Sequence, residues 1–264
     1  MRLLRAKTFW DSRPCRLSVL LTAALLLVSM TAARAQDAIR FATLEWPPYV
    51  SSHLPESGMT AKILRDIAVA HRSDARFAFL PWVRAMRYAQ EDPDYAGYFP
   101  AYWTEERAKT CSFSDPIGIS EVGFVQRKDA PVTWNKLSDL AGRKIGVVNG
   151  YANGQEFDQL VAQGVLSIEG ATHDLDNLRK VAVGHLPLAV IDHAVMEYYA
   201  ATDSVVQARH DEIEFNAKPL IEMTVHVCFK KNAEGAALKQ LFDEGLKKLD
   251  LATAQRDYLA GLSQ

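Results

Sequence analysis

The chain has 264 residues, 48% of them hydrophobic and 23% charged, and a formal net charge of −2 at pH 7. That length suits one large domain or two of about 100 to 120 residues, each able to bury its own core. The acidic balance and the lack of basic clusters argue against a nucleic-acid partner.

Arg2, Arg5, Lys7, Arg13 and Arg16 precede an apolar run from Leu17 to Met30. Its 14 residues fall short of the roughly 20 that a spanning helix needs. Ala33-Arg34-Ala35 follows as a small-x-small cleavage site. Together these read as a secretory signal peptide over residues 1–35, cleaved after Ala35. Cys15 lies before the apolar run, so it is not a lipidation cysteine. The remaining residues carry a net charge near −7 and no second long apolar run.

Two cysteines follow the leader, Cys111 and Cys228, in the strand-like contexts TCSFS and VHVCFKK. An exported protein permits a disulfide, and both a long-range bridge and two buried thiols fit. Their spacing excludes a zinc module, and the seven histidines are scattered without close pairs. No metal and no cofactor is expected.

Along the chain, residues 39–43 predict a strand. Trp46-Pro47-Pro48-Tyr49 breaks it, and residues 60–71 follow as a helix with Ile63, Leu64, Ile67 and Ala68 on one face. Residues 76–80 predict a second strand. A helix then starts at Pro81-Trp82, where proline suits the first turn. Residues 95–99 predict a third strand, from whose end hangs a loop with Tyr102, Trp103 and the turn Thr104-Glu105-Glu106-Arg107. This is the rhythm of a parallel sheet flanked by helices, in which ligands sit at the carboxyl ends of strands.

After Pro116, residues 117–127 read as a long extended strand. A second unit follows, with a strand over 144–150 that ends in a glycine loop, strands at 165–168 and 186–191, and helices at 155–163, 174–183 and 193–200. Asp192 stands at the end of the last strand. Residues 222–231 predict a returning strand and 235–262 a helical remainder. Two extended crossings imply two lobes, 36–118 with 227–264 and an inserted 119–226, hinged around a cleft. The strand-end loops facing that cleft carry Trp46, Arg107, Gly150-Tyr151 and Asp192.

The segment TEERAKTCSFSDPIG resembles the T-x-x-R-x-x-x-x-x-F-S-x-P-Y stretch of the family 3 extracellular solute-binding proteins, the periplasmic receptors of polar amino acid ABC transporters. LSDLAGRKIGVVNG and CFKKNAEGAALKQLFDEGLKKL are similar to two further family segments, in the same order. The resemblance covers nearly all of the chain after the leader. It implies a two-lobed α/β fold of the periplasmic binding protein type II, with a mixed, mostly parallel sheet in each lobe and two hinge crossings. It also implies a periplasmic monomer that hands a small ligand to a membrane permease. By the same resemblance Arg107 would hold the ligand's carboxylate and Trp46, with Tyr49 behind it, would stack on the ligand. Asp192 would hold an ammonium group, and Tyr102, Tyr151 and Trp82 would line the pocket.

Each residue also has a plainer role open to it. Arg107 could be a solvated loop residue, Trp46 and Trp82 core, and Asp192 a helix cap. This chain departs from the family at Pro100-Ala101-Tyr102-Trp103 and at Tyr151-Ala152, where hydroxyl donors are usual. A buried polar ligand group without its partner is costly, so the ligand is expected to be aromatic, less polar, or built on a different head group. Two other functions stay open: a receptor for a signalling partner, and a dehydratase-type enzyme using Glu45, Glu121, Asp192 or His193. Non-catalytic binding is the leading expectation. N-terminal sequencing of the exported protein should find Gln36 first; a start at Met1 would remove the leader.

Overall fold

A short apolar strand with no helical period opens the structure: β1 (Ile39–Thr43). The structure is a computed structural model that describes residues 38–262, so the expected signal peptide lies outside the described residues. α1 (Met59–Ala70) follows and buries Ile63, Leu64, Ile67 and Ala68, the face set by the 3.6-residue period. β2 (Ala75–Phe79) pairs parallel with β1 along its whole length. α2 (Trp82–Glu91) starts just after Pro81, and β3 (Gly97–Tyr102) pairs parallel with β1. β3 therefore extends through Pro100 to Tyr102, beyond the expected end at residue 99.

The expected loop around Arg107 is instead a short helix, α3 (Glu105–Thr110). The Thr104 side chain accepts a hydrogen bond from the Arg107 N–H at 3.1 Å, and Glu105 and Glu106 sit in the first turn. Such a cap supplies a partner for an otherwise unpaired donor, and acidic side chains there complement the helix dipole. β4 (Cys111–Phe113) and the ten-residue β5 (Gly118–Arg127) follow.

The second unit contains β6 (Lys144–Val148), α4 (Gln155–Ala162), β7 (Ser167–Ala171), α5 (Asp174–Ala182), β8 (Leu188–Asp192), α6 (His193–Thr202) and α7 (Ser204–Gln207). β6 pairs parallel with both β7 and β8. β7 lies a few residues later than the apolar pattern at 165–168 suggests. Leu166 is the buried member of that pattern, and the strand itself is largely exposed. β9 (Ile213–Phe215), which periodicity does not signal, joins the far end of β5.

β10 (Ile221–Lys230) returns the chain. Its first half pairs antiparallel with β5 (Ile221 opposite Val122, Val225 opposite Gly118) and its second half with β3 and β4. β5 in turn pairs with β10 through its first half and with β8 through its second. The strand order is β2-β1-β3-β10-β5-β8-β6-β7. Two long antiparallel strands thus run from one parallel unit into the other, giving a two-lobed α/β fold with two crossings. The described residues belong to one compact unit.

The C-terminal remainder is two helices, α8 (Ala233–Leu246) and α9 (Leu251–Leu262), rather than one. Asp250 accepts the Thr253 N–H at 3.1 Å and restarts the helix. Phe242 and Leu246 are buried, whereas Leu249 falls in the break and is 37% exposed. Phe242 closes an aromatic cluster in the first lobe. Phe41 meets Phe99, Phe229 and Phe242 edge-on at 5.8, 5.9 and 5.6 Å between ring centres. This geometry is favoured by the ring quadrupole.

Cys111 and Cys228 form a disulfide, with Cα atoms 5.5 Å apart and a sequence separation of 117. It ties the end of α3 to β10. Gly97 leaves room beside it, since a Cβ there would sit 2.2 Å from the Cys228 carbonyl oxygen. Cross-linking so long a loop restricts the unfolded chain. Reduction, or Cys228→Ser, is expected to lower unfolding free energy by about 2–5 kcal/mol in urea titrations. An unchanged midpoint would show that the bridge carries no stability.

Candidate functional site

The loop after β1 is held by a tight turn. Trp46 N–H donates to the Val50 carbonyl at 2.8 Å, and Val50 N–H returns to Trp46 at 3.0 Å. The turn stacks Trp46 on Tyr49, with ring centres 4.2 Å apart and an interplanar angle of 17°. Trp46 meets Tyr102 edge-on at 5.9 Å. Trp82 begins α2 and packs edge-on against Tyr98 at 5.4 Å and Tyr151 at 6.2 Å. The Arg107 guanidinium lies over the Trp82 ring at 5.6 Å, within cation–π range.

A partly open cavity lies among these side chains. Trp46, Trp82, Tyr102, Arg107 and Tyr151 line it together with Leu44 and Pro100. The space between them is about 20 Å³, room for roughly one water. A larger occupant requires the walls to part. Five of the seven side chains expected at the site therefore meet here. The other two, Tyr49 and Asp192, are bonded to each other alongside the cavity, with Tyr49 OH donating to Asp192 Oδ2 at 3.0 Å.

The walls are joined by the protein's own polar groups. The Gly150 carbonyl accepts from Trp82 Nε1 at 3.1 Å and from Arg107 Nη2 at 2.9 Å. Arg107 Nη1 donates to the Tyr102 carbonyl at 2.9 Å. Gly150 has φ +81°, and a Cβ there would sit 2.9 Å from Val83, so this approach requires glycine. Burial lowers the Arg107 pKa, yet a guanidinium remains charged.

Asp192 is buried, at 3% exposure. Its Oδ1 accepts the Val195 N–H at 2.9 Å, which caps α6. Its Oδ2 accepts from Ser120 Oγ at 2.5 Å besides Tyr49. Tyr102 OH lies 2.7 Å from the same Ser120 hydroxyl. Burial raises the Asp192 pKa, and the Ser120, Val195 and Tyr49 hydrogen bonds oppose that shift. Burial, with the Asp192 charge next, also raises the pKa of Tyr49.

A second buried carboxyl escaped sequence reasoning. Asp174, in the first turn of α5, accepts from Tyr151 OH at 3.0 Å. Burial pushes its pKa up to about 7, with the Tyr151 hydrogen bond opposing and the Asp192 charge adding. One signal for it was available: like Asp192 at the end of β8, it stands close to a strand's carboxyl end. Ser120 gave none, being one polar residue in a long strand. Of the side chains considered for acid–base chemistry, none lines the cavity. Glu45 accepts from Ser52, and Glu121 meets His193 Nδ1 at 3.1 Å.

The Asp174 shift makes a sign prediction. Its folded pKa of about 7 exceeds the roughly 3.9 of a free aspartate. Its contribution to stability is therefore complete below about pH 4 and lost as pH rises towards about 7. Asp174→Asn should gain on the parent by on the order of 2–4 kcal/mol between pH 4.5 and 8 in paired denaturation curves. A pH-independent difference would contradict the shift.

No protein-family model matches the chain, and no curated protein matches it in sequence. Solved structures do. The GluR0 ligand-binding core from Nostoc punctiforme, in complex with L-glutamate, is 18% identical, with a TM-score of 0.67 over 83% of this chain and 96% of that one. A histidine kinase sensor domain with similarity to periplasmic binding proteins is 21% identical, with a TM-score of 0.71 over 86% and 96%. An ancestral arginine-binding protein bound to arginine is 17% identical, with a TM-score of 0.71 over 86% and 98%. At such identities the likeness concerns the fold: this chain folds as a two-lobed protein of the periplasmic binding protein type II.

Proposed function

We propose that the chain is a family 3 type solute-binding receptor. It captures a small amino-acid-like or otherwise carboxylate-bearing ligand between its lobes and delivers it to the membrane permease of an ABC transporter. In this reading residues 36–118 and 227–264 form one lobe and 119–226 the other. The leader ends at Ala35, and the protein acts in the periplasm as a monomer, without cofactor, metal or catalysis.

The observation that carries this reading is Arg107. Its helix is capped by Thr104 at one end and followed at the other by the Cys111–Cys228 bridge, and its guanidinium lines the cavity. A guanidinium is a planar fork of five donors matched to a carboxylate. Two of the structural neighbours are complexes with glutamate and arginine, both of which carry that group. Differential affinity for the closed form would couple binding to lobe closure.

The sensor-domain neighbour favours a second reading, in which the closed receptor signals to a membrane partner. Cross-linking the ligand-loaded protein in cells separates the two, since a permease subunit supports transport and a membrane kinase supports signalling.

A thermal-shift screen of amino acids, polyamines and small carboxylates should return a carboxylate, because a tight ligand raises Tm by mass action. Arg107→Ala should then weaken that ligand by about tenfold or more in calorimetry, the usual size of a lost charged hydrogen bond. Unchanged affinity would remove Arg107 from the site. The ligand should be recovered chemically unchanged, whereas turnover would establish an enzyme.

A further inference from the structure

We propose that the Trp46 indole N–H donates a hydrogen bond to an oxygen of the ligand, so that Trp46 orients the ligand as well as covering its face. The proposal rests on the receptor reading and adds a second polar contact to the one expected of Arg107.

An indole has one donor and no acceptor, so its N–H is satisfied only by an acceptor brought to it. Trp46 is 4% exposed, and its Nε1 is buried without a hydrogen-bond partner. Native proteins leave few buried donors in that condition, because each keeps the desolvation cost of its lost water. Tyr98, Trp134 and Asn177 also hold buried unpaired polar atoms, but none of them lines the cavity. Among the described residues, Trp46 alone combines such an atom with a place in that wall. The other indole there, Trp82, already donates to the Gly150 carbonyl at 3.1 Å.

The ring is held in place from within its own turn. Trp46 and Val50 exchange backbone hydrogen bonds, and Tyr49 covers one face of the indole at 4.2 Å between ring centres. The cavity therefore meets Trp46 on its other face or along its edge. All of the wall except Tyr151 comes from the first strand–helix unit. A ligand that pushes Tyr151 aside leaves the turn over 46–50 as it is, and the indole N–H gives up no partner to receive it. Pairing an orphan donor gains more than exchanging one partner for another. A carboxylate, carbonyl or hydroxyl oxygen of the ligand supplies the acceptor.

The probes are the standard L-amino acids, their 2-oxo acids and the short straight-chain mono- and dicarboxylates. They are screened by calorimetry on the mature protein, and the tightest is carried into two measurements. In isotope-labelled protein the Trp46 indole N–H resonance should move downfield on saturation, as it does when a donor gains an acceptor. The Trp134 N–H, buried and unpaired but away from the cavity, reports any change shared by the whole protein. Replacing Trp46 by 3-benzothienylalanine keeps the fused ring and puts sulfur where the N–H was. This should weaken the probe by about fivefold, the size of one net hydrogen bond. A Trp46 resonance that stays in place, or an analogue that binds undiminished, overturns the proposal and leaves the receptor reading standing. If no probe binds, both fall.

Discussion

A carboxylate taken out of water must be surrounded by donors, and Asp192 meets that demand by drawing on three separate parts of the chain. The Val195 N–H comes from its own helix, the Ser120 hydroxyl from the neighbouring crossing strand, and the Tyr49 hydroxyl from the loop after the first strand. Removing one donor would leave a buried charge short of a partner, which is among the costlier defects a core can carry. The loop of Trp46 and Tyr49 is therefore placed against the second lobe by the needs of a side chain 143 positions away. Trp46 follows because it is stacked on Tyr49, and Tyr102 because its hydroxyl meets the same serine.

The opposite side of the cleft has a second focus, the Gly150 carbonyl, where Trp82 and Arg107 converge. Parting the walls breaks these two bonds and the one between Tyr49 and Asp192. At a net worth of about 1 kcal/mol for a neutral hydrogen bond and somewhat more for a charged one, the sum is a few kcal/mol. A small ligand's binding energy is easily of that size.

The T-x-x-R spacing also acquires a physical meaning. Thr104 caps a six-residue helix by accepting the N–H of the third residue inside it, and that residue is Arg107. Thr104 and Arg107 stand three apart, within the reach of a capping side chain. The disulfide one residue past the helix restrains its other end. A helix this short has little stability of its own, so these two restraints hold it in place, and the Tyr102 and Gly150 carbonyls direct the guanidinium.

The repeating strand–helix units, the two crossings and the apolar faces such as Ile63, Leu64 and Ile67 were legible from periodicity. Those patterns report which face of a local element meets a core, and neighbours in sequence suffice to create them. The motif resemblance placed the aromatics and Arg107 around a cleft for a similar reason, since strand-end loops of such folds converge. What local pattern could not show was where each polar group spends its hydrogen bonds. Asp192 has a ligand-anchor and a helix-cap reading in the sequence, and only the fold shows it capping α6 while serving Tyr49 and Ser120. Asp174 carries no periodic signal, and the pairing of Cys111 with Cys228 depends on two strands meeting after 117 residues. The sequence by itself determined the strand–helix units and the two-crossing α/β organisation, because hydrophobic period and capping act over a few residues. The tertiary structure alone decided which donors and acceptors remain for a ligand, because hydrogen-bond partners are chosen across the fold.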